Sequence, residues 1–140
     1  MKALFLIAIS ILYFSLSAKS DTIDYWHIYY NGVKIGEWNR SKIHQIDLKL
    51  RKIQKKDSIT VKYFRDTPCF NCETILDIED DEGIQVLKAT GKGTFDPIKF
   101  AIKDISRNTK RRKYLKVYLR EESQKHALQK LLLFYVRIER

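Results

Sequence analysis

The sequence predicts an all-β protein, an antiparallel β-sandwich of about nine short strands. Three observations support this prediction. Apolar and polar residues alternate with a period of two along most of the chain after residue 20, which is the pattern of strands that bury one face. Turn-forming residues recur at intervals of about ten residues. No long stretch has apolar residues spaced three and four apart, as an amphipathic helix requires.

The first two strands form the clearest predicted hairpin. Residues Tyr25 to Tyr30 alternate so that Trp26 and Ile28 share one face, and Asn31-Gly32 follows at once. An Asn-Gly pair accepts the positive φ angles that a two-residue hairpin turn requires. Val33 to Trp38 is therefore the predicted return strand.

The remaining strands are predicted from the same alternation. They are expected at residues 46–50, 59–63, 74–79, 84–90, 98–103, 114–120 and 132–138. Asp80 to Gly83 is a predicted turn, and the best helix candidates are Ile105 to Lys110 and Ser123 to Lys130. Antiparallel sheets with one apolar face bury that face by packing together. We therefore expect an immunoglobulin-like or jelly-roll sandwich, with a closed barrel as the alternative.

The first twenty residues are predicted to be a signal peptide, separate from the fold. Lys2 precedes a charge-free apolar run, Ala3 to Leu16, and Ala18-Lys19-Ser20 offers small residues for cleavage. This run is shorter than the roughly 20 residues that a membrane span needs. We expect cleavage after Ser20, with Ser17 as the second choice, and no transmembrane segment afterwards. The protein is thus expected to be exported, either periplasmic or secreted.

The composition fits a single domain over residues 21–140. Of 140 residues, 44% are hydrophobic and 31% are charged, with 2 Pro and 5 Gly. These values exclude extended disorder and collagen-like or proline-rich arrays, and two cysteines exclude a dense disulfide scaffold. The formal charge is +10, which becomes +8 when the two lysines of the signal peptide are removed. The protein is therefore basic.

Cys69 and Cys72 form a C-F-N-C motif in a loop between two predicted strands. Export exposes such a close pair to oxidising conditions, so a structural disulfide is the main expectation. A redox-active pair is an alternative, although Glu73 and a strand pattern follow it instead of a helix that would lower the pKa of the first thiol. Zinc would need further ligands from three dispersed histidines. Free thiols or an intermolecular bridge complete the alternatives.

Acidic residues are concentrated in residues 73–82, which contain six acids and no base. This composition predicts solvated strand ends and a polar hairpin turn. A calcium site is the alternative, because hard cations prefer several oxygen ligands. Counted from Asp77, however, neither the glycine nor the last ligand matches the spacing of an EF-hand loop.

Basic residues are concentrated in residues 107–120, which carry seven cations and no acid. If Leu115, Val117 and Leu119 face the core, cations and tyrosines face out together, and such a strand suits a polyanion. The candidate residues are Arg107, Lys110, Arg111, Arg112, Lys113, Tyr114, Lys116, Tyr118 and Arg120. The main expectation is nevertheless an ordinary solvated face that discourages edge pairing, and polyanion binding is the alternative. Because export is predicted, an acidic glycan, a phosphorylated lipid head group or an acidic protein is expected in place of intracellular nucleic acid.

Motifs of catalysis are missing from the sequence. It contains no nucleophile elbow, zinc-protease helix motif, P-loop or dinucleotide-binding glycine motif. Gly91-Lys92-Gly93 lacks the following helix that would cradle a phosphate. We therefore expect no catalytic residues, no metal and no cofactor, and a protein that is not an enzyme.

Three segments carry a resemblance to known proteins. They are Asp24-Tyr25-Trp26-His27 with Tyr30-Asn31-Gly32, Asp57-Ser58-Ile59-Thr60-Val61, and Asp66-Thr67-Pro68-Cys69 with Cys72. In these segments the chain resembles small exported bacterial β-sandwich proteins of unknown function. The resemblance covers most of the chain after residue 20 and implies neither an activity nor functional residues.

The expected function is that of an exported, non-enzymatic binding or assembly module. Its expected partner is an envelope protein, an acidic glycan or a lipid head group. The alternatives are a polyanion-binding module that uses residues 107–120 and a thiol-disulfide protein that uses Cys69 and Cys72.

Overall fold

A computed structural model describes residues 24–108, 114–122 and 129–139. This part of the chain forms nine strands and one short α-helix. Their bounds are β1 Tyr25–Tyr30, β2 Val33–Asn39, β3 Gln45–Lys49, β4 Ser58–Phe64, β5 Glu73–Asp80, β6 Gln85–Lys92, β7 Ile98–Ala101, α1 Ile102–Asn108, β8 Tyr114–Glu122 and β9 Leu131–Glu139. A 3₁₀ turn at Leu50–Lys52 follows β3. The predicted signal peptide at residues 1–20 lies outside the described residues.

The strands form two packed sheets, which confirms the predicted β-sandwich. The first sheet has the order β2-β1-β4-β7, and the second has the order β3-β9-β8-β5-β6. Neighbouring strands are antiparallel except for β3 and β9, which run parallel. The orders β1-β4-β7 and β9-β8-β5-β6 match strands A-B-E and G-F-C-C′ of an immunoglobulin-like sandwich. Of the three predicted alternatives, the strand order therefore fits the immunoglobulin-like sandwich and not the jelly roll or the closed barrel.

The core lies between the two sheets and is built from alternate residues of the predicted strands. Trp26 and Ile28 of β1, Val61 of β4, and Leu115 and Val117 of β8 are all buried. Burying one such side chain contributes about 1.5–3 kcal/mol. The alternation along each strand is thus the main source of the energy that joins the sheets.

The first hairpin forms at the predicted turn. Asn31 and Gly32 both have positive φ angles, 49° and 85°. The pairing of β1 with β2 shifts register between Ile28 and Tyr29, so that Ile35 is an extra residue on β2. This bulge leaves Ile35 on the outer edge of the first sheet.

The helix differs from the prediction in its position. The strand expected at residues 98–103 ends at Ala101, and α1 begins at Ile102 rather than at Ile105. Both isoleucines are fully buried, because residues three apart share one face of a helix. The second helix candidate lies outside the described residues except for Gln129 and Lys130, which are in neither helix nor strand. Across the described ranges, no helix is long and apolar enough to cross a membrane.

Candidate functional site: the disulfide tip

The two cysteines lie in the loop between β4 and β5 and are joined in a disulfide. Their Cα atoms are 5.8 Å apart. This loop docks on the connection between β6 and β7: the N–H of Gly93 donates to the carbonyl of Cys72 at 2.8 Å, and the N–H of Thr94 donates to the carbonyl of Cys69 at 2.7 Å. We call residues 66–72 and 92–96 together the disulfide tip.

Gly93 makes the close contact within the disulfide tip possible. Its φ angle is +79°, which is strained for any residue with a Cβ atom. A Cβ at this position would lie 3.1 Å from the carbonyl oxygen of Cys69 and 3.2 Å from that of Phe70. Because these neighbours are backbone atoms, they have little room to move. The loop holding the cysteines is therefore fixed from both sides, by its own disulfide and by the backbone of residues 93–94.

Phe70 is the exposed apex of the disulfide tip. It lies inside the four-residue disulfide ring, yet 69% of its surface is exposed. Phe95 lies beside it with 37% exposure and its ring centroid 6.2 Å away, in an edge-to-face arrangement. Two phenylalanine rings thus project together into solvent from two loops that are hydrogen-bonded to each other.

A row of aromatic rings supports these two side chains on the outer face of the first sheet. Phe95 contacts Phe64 at 5.9 Å, and Phe64 stacks on Tyr25 at 4.7 Å with their planes 8° apart. Tyr25 in turn contacts His27 at 5.6 Å. Since these rings pack against one another, they stiffen the base of the tip and leave Phe70 as its most exposed ring.

A buried carboxylate anchors the tip to β8. Glu121 is 4% exposed. Its Oε2 lies 2.7 Å from Nη1 of Arg65, and its Oε1 accepts a hydrogen bond of 2.8 Å from the hydroxyl of Thr94. The same hydroxyl oxygen accepts the N–H of Cys69 at 2.7 Å. One network therefore links β8, the connection after β6 and the disulfide loop.

A polar pocket of about 330 Å³ lies between the sheets next to this anchor. Its charged groups are paired with one another: Arg40 contacts Asp24 at 2.7 Å, and Arg65 contacts Glu121. Tyr63 also lines the pocket, and burial, together with Asp24, raises its pKa. Each cation that lines the pocket therefore already contacts a carboxylate, Arg120 included.

The geometry around the cysteines differs from that of a redox centre. Cys72 is buried, and β5 begins at the next residue, Glu73. A helix N-terminus, which would lower the pKa of a nucleophilic thiol, therefore does not follow the motif. In the described residues, no cluster of three or more His, Cys, Asp or Glu side chains could hold a metal ion.

The acidic stretch at residues 73–82 is only partly solvated, and this corrects the expectation. The turn at Asp80 to Gly83 forms as predicted, but Asp77 and Asp80 are 1% and 0% exposed. Both lie on β5, a central strand with β8 on one side and β6 on the other. Oδ2 of Asp77 contacts Nε of Arg120 at 2.5 Å, and Glu79 pairs with Lys130.

Five of the nine polyanion candidates are described. Tyr114, Lys116, Tyr118 and Arg120 alternate with the buried residues of β8, as predicted, and Arg107 is exposed near the end of α1. Lys110, Arg111, Arg112 and Lys113 lie outside the described residues.

Acids from neighbouring strands lie close to the described cations of this segment. Arg120 contacts both Asp77 and Glu122, and Lys116 is paired in register with Glu79 of β5. On β8, part of the predicted positive charge is therefore offset by adjacent carboxylates.

Sequence reasoning did not identify the disulfide tip as a site. It found the cysteines but assigned no role to Phe70 or Phe95. The available signal was a large aromatic residue between two cysteines in a predicted loop. The partner loop containing Gly93 and Phe95 lies more than twenty residues away along the chain, so its contact could not be found locally.

No family model, curated protein or solved structure matches this chain.

Proposed function

We propose that the chain is an exported, non-enzymatic binding module of the cell envelope, and that the disulfide tip is the surface that contacts its partner. The observation that carries the proposal is the exposure of Phe70 on a loop held by a disulfide and by the backbone of residues 93–94.

The rigidity of the tip favours binding. Association normally costs free energy because loops and side chains at the interface become ordered. A loop that is fixed before binding avoids part of that cost. Aromatic side chains at the centre of an interface also tend to contribute most of its binding energy. Phe70 combines both properties, with Phe95 as its neighbour.

The charges around the tip favour a protein partner over a polyanion. Asp66 and Asp96 are exposed residues of the disulfide tip and exposed Glu73 follows it in the chain, whereas Lys92 is the exposed cation of the tip. A polyanion would be repelled by this excess of carboxylates. A partner protein with an apolar cleft bordered by basic residues would bind the rings of Phe70 and Phe95 and place its cations next to the surrounding carboxylates.

The proposal is tested by placing a photoreactive phenylalanine analogue at position 70 in the producing cell. The matched control carries the analogue at Ile84, which is also exposed but lies on the turn at the opposite end of β5. We expect a discrete protein adduct from position 70 and none from position 84. Equal adducts from both positions, or none from position 70, would contradict the proposal.

Once that partner is purified, Phe70→Ala should weaken binding by about 2 kcal/mol, the magnitude typical of a central aromatic anchor. The free energy of unfolding should change by less than about 0.5 kcal/mol, because the side chain is exposed. Loss of binding together with a large loss of stability would instead assign Phe70 a structural role.

A further inference from the structure

The two sides of the sandwich differ in how the sheets meet. On one side, β6 of the second sheet approaches β7 of the first so closely that a Cβ at Gly91 would lie 2.8 Å from Cγ1 of Ile98. On the other side, the edge strands are β2 and β3. These two strands are joined by residues 40–44, where His44 stacks on Trp38 at 4.7 Å. Away from this connection, β2 and β3 are separated by a gap.

This gap is a groove of about 700 Å³, which we call the open-edge groove. Its volume is within the range of about 300–1,000 Å³ that is usual for binding sites. The first sheet contributes three side chains to its lining, Tyr30, Val33 and Ile35. The second sheet and the turn after β3 contribute apolar Ile46, Leu48 and Ile53 and charged Asp47, Lys49 and Lys52.

The apolar side chains at the mouth of the groove are unusually exposed. Val33 is 67% exposed and Ile35 is 47% exposed, and both belong to edge strand β2. An edge strand presents a row of backbone N–H and C=O groups that no neighbour uses, and this row is a template for pairing with another strand. The groove therefore offers both backbone hydrogen bonds and an apolar floor to an extended chain.

The charges of the groove select the partner. Asp47 is occupied, since it contacts Arg137 at 2.8 Å and accepts a hydrogen bond from Gln45 at 2.7 Å. Among the described residues, neither Lys49 nor Lys52 forms an ion pair. Lys49 is paired in register with Glu139 of β9, but the carboxylate of Glu139 contacts Arg137. The lining thus has an excess of positive charge, which complements an acidic segment and disfavours a second copy of this basic chain.

We propose that the open-edge groove binds an extended acidic segment of a partner protein by strand addition to β2. Alternate side chains of the segment pack on Val33, Ile35 and the groove floor, and its carboxylates face Lys49 and Lys52. Strand addition takes affinity from backbone hydrogen bonds and specificity from alternate side chains. This surface is separate from the disulfide tip, so the inference does not depend on the proposed function.

Two labelled heptapeptides test the inference by fluorescence anisotropy with the purified protein. One alternates valine with glutamate, and the other alternates valine with lysine. We expect the glutamate peptide to bind at least about tenfold more tightly. Lys52→Gln should reduce this preference, and Ile35→Ser should weaken binding of the glutamate peptide by about tenfold. Ile84→Ser, the matched control on a distant exposed isoleucine, should leave binding unchanged.

Backbone methylation separates strand addition from adhesion to an apolar surface. In an added strand, the N–H groups of alternate residues point toward β2. Two glutamate peptides are therefore N-methylated at alternate residues, one at the odd and one at the even positions. Strand addition requires that one of them loses binding while the other retains it. Equal behaviour of the two, or equal affinity for the glutamate and lysine peptides, would overturn the inference. Concentration-dependent dimerisation that Ile35→Ser abolishes would also overturn it, because the occupant would then be a second copy.

Discussion

Asp57 organises the junction between the first hairpin and β4. Its carboxylate accepts hydrogen bonds from the backbone N–H of Gln54 at 2.8 Å, the amide of Asn31 at 2.9 Å and the hydroxyl of Tyr30 at 2.7 Å. These donors, with the N–H of Gln54 as the largest contribution, lower the pKa of Asp57. The pKa of Tyr30 is raised to about 12, mainly by burial and to a smaller extent by the hydrogen bond to Asp57. A single carboxylate thus fixes the chain at three positions.

The raised pKa of Tyr30 predicts a loss of stability in alkali. The folded protein keeps this phenol protonated above its ordinary pKa of 10.0, whereas the unfolded chain does not. The stabilisation from Tyr30 is therefore complete below pH 10 and is lost as the pH rises toward 12. Thermal midpoints between pH 9 and 12 should fall more steeply for the wild type than for Tyr30→Phe. Equal slopes would show that burial and the hydrogen bond to Asp57 do not raise the pKa of Tyr30 in the folded protein.

At the scale of elements, the pairing of β5 with β8 determines which charge lies beside Asp77. Asp77 lies on a central strand and is 1% exposed, so its carboxylate has little access to bulk water. Arg120 of the adjacent β8 provides the opposite charge. The exposed pair of Arg137 and Asp47, which joins β9 to β3, has similar geometry but remains in contact with solvent.

This contrast predicts a difference between two arginine substitutions. Arg120→Gln should reduce the free energy of unfolding by about 2–3 kcal/mol, because it leaves a buried carboxylate without its counter-ion. Arg137→Gln should change it by less than about 1 kcal/mol, because an exposed pair is weakened by water. Urea unfolding of both variants measures the difference. Similar losses for the two would mean that water reaches Asp77.

At the scale of the whole molecule, positive charge outweighs negative charge by ten, and much of the excess falls in residues 107–120. The pairing of Arg120 with Asp77 removes that cation from the set available to a ligand. Polyanion binding by this segment therefore depends on Arg107, on Lys116 and on the residues between α1 and β8.

The corresponding prediction concerns salt. If the segment binds a polyanion, replacing Arg111, Arg112 and Lys116 by Gln should weaken heparin binding and flatten its dependence on salt concentration. The reason is that each neutralised phosphate of a duplex adds about 0.9 to the logarithmic salt slope, and the same counter-ion release applies to a sulfated chain. The control replaces Lys55, Lys56 and Lys99, which are exposed and lie outside both residues 107–120 and the open-edge groove. If titrations at two salt concentrations show equal losses for both sets, net charge alone accounts for binding.

Much of the fold could be predicted because its signal is local. The alternation from Tyr25 to Tyr30 and the turn at Asn31-Gly32 depend on residues within one hairpin, and both are confirmed. The helix was predicted to begin three residues too late because Ile98, Phe100 and Ile102 continue a strand pattern. Ile102 and Ile105 fit one face of a helix equally well, and both are buried. Only packing against the core decides between these two periods.

The sequence by itself determined the strands, the turns, the position of the cysteine pair and the segregation of charge, because each depends on neighbours in the chain. Tertiary structure alone decided that Asp77 is buried, that the disulfide loop packs closely against Gly93 while Phe70 is exposed, and that β2 and β3 leave a groove between them. These features depend on which strands become neighbours. The order of strands in each sheet is set by the packing of whole apolar faces that are far apart in the sequence. A local pattern of residues does not encode this order.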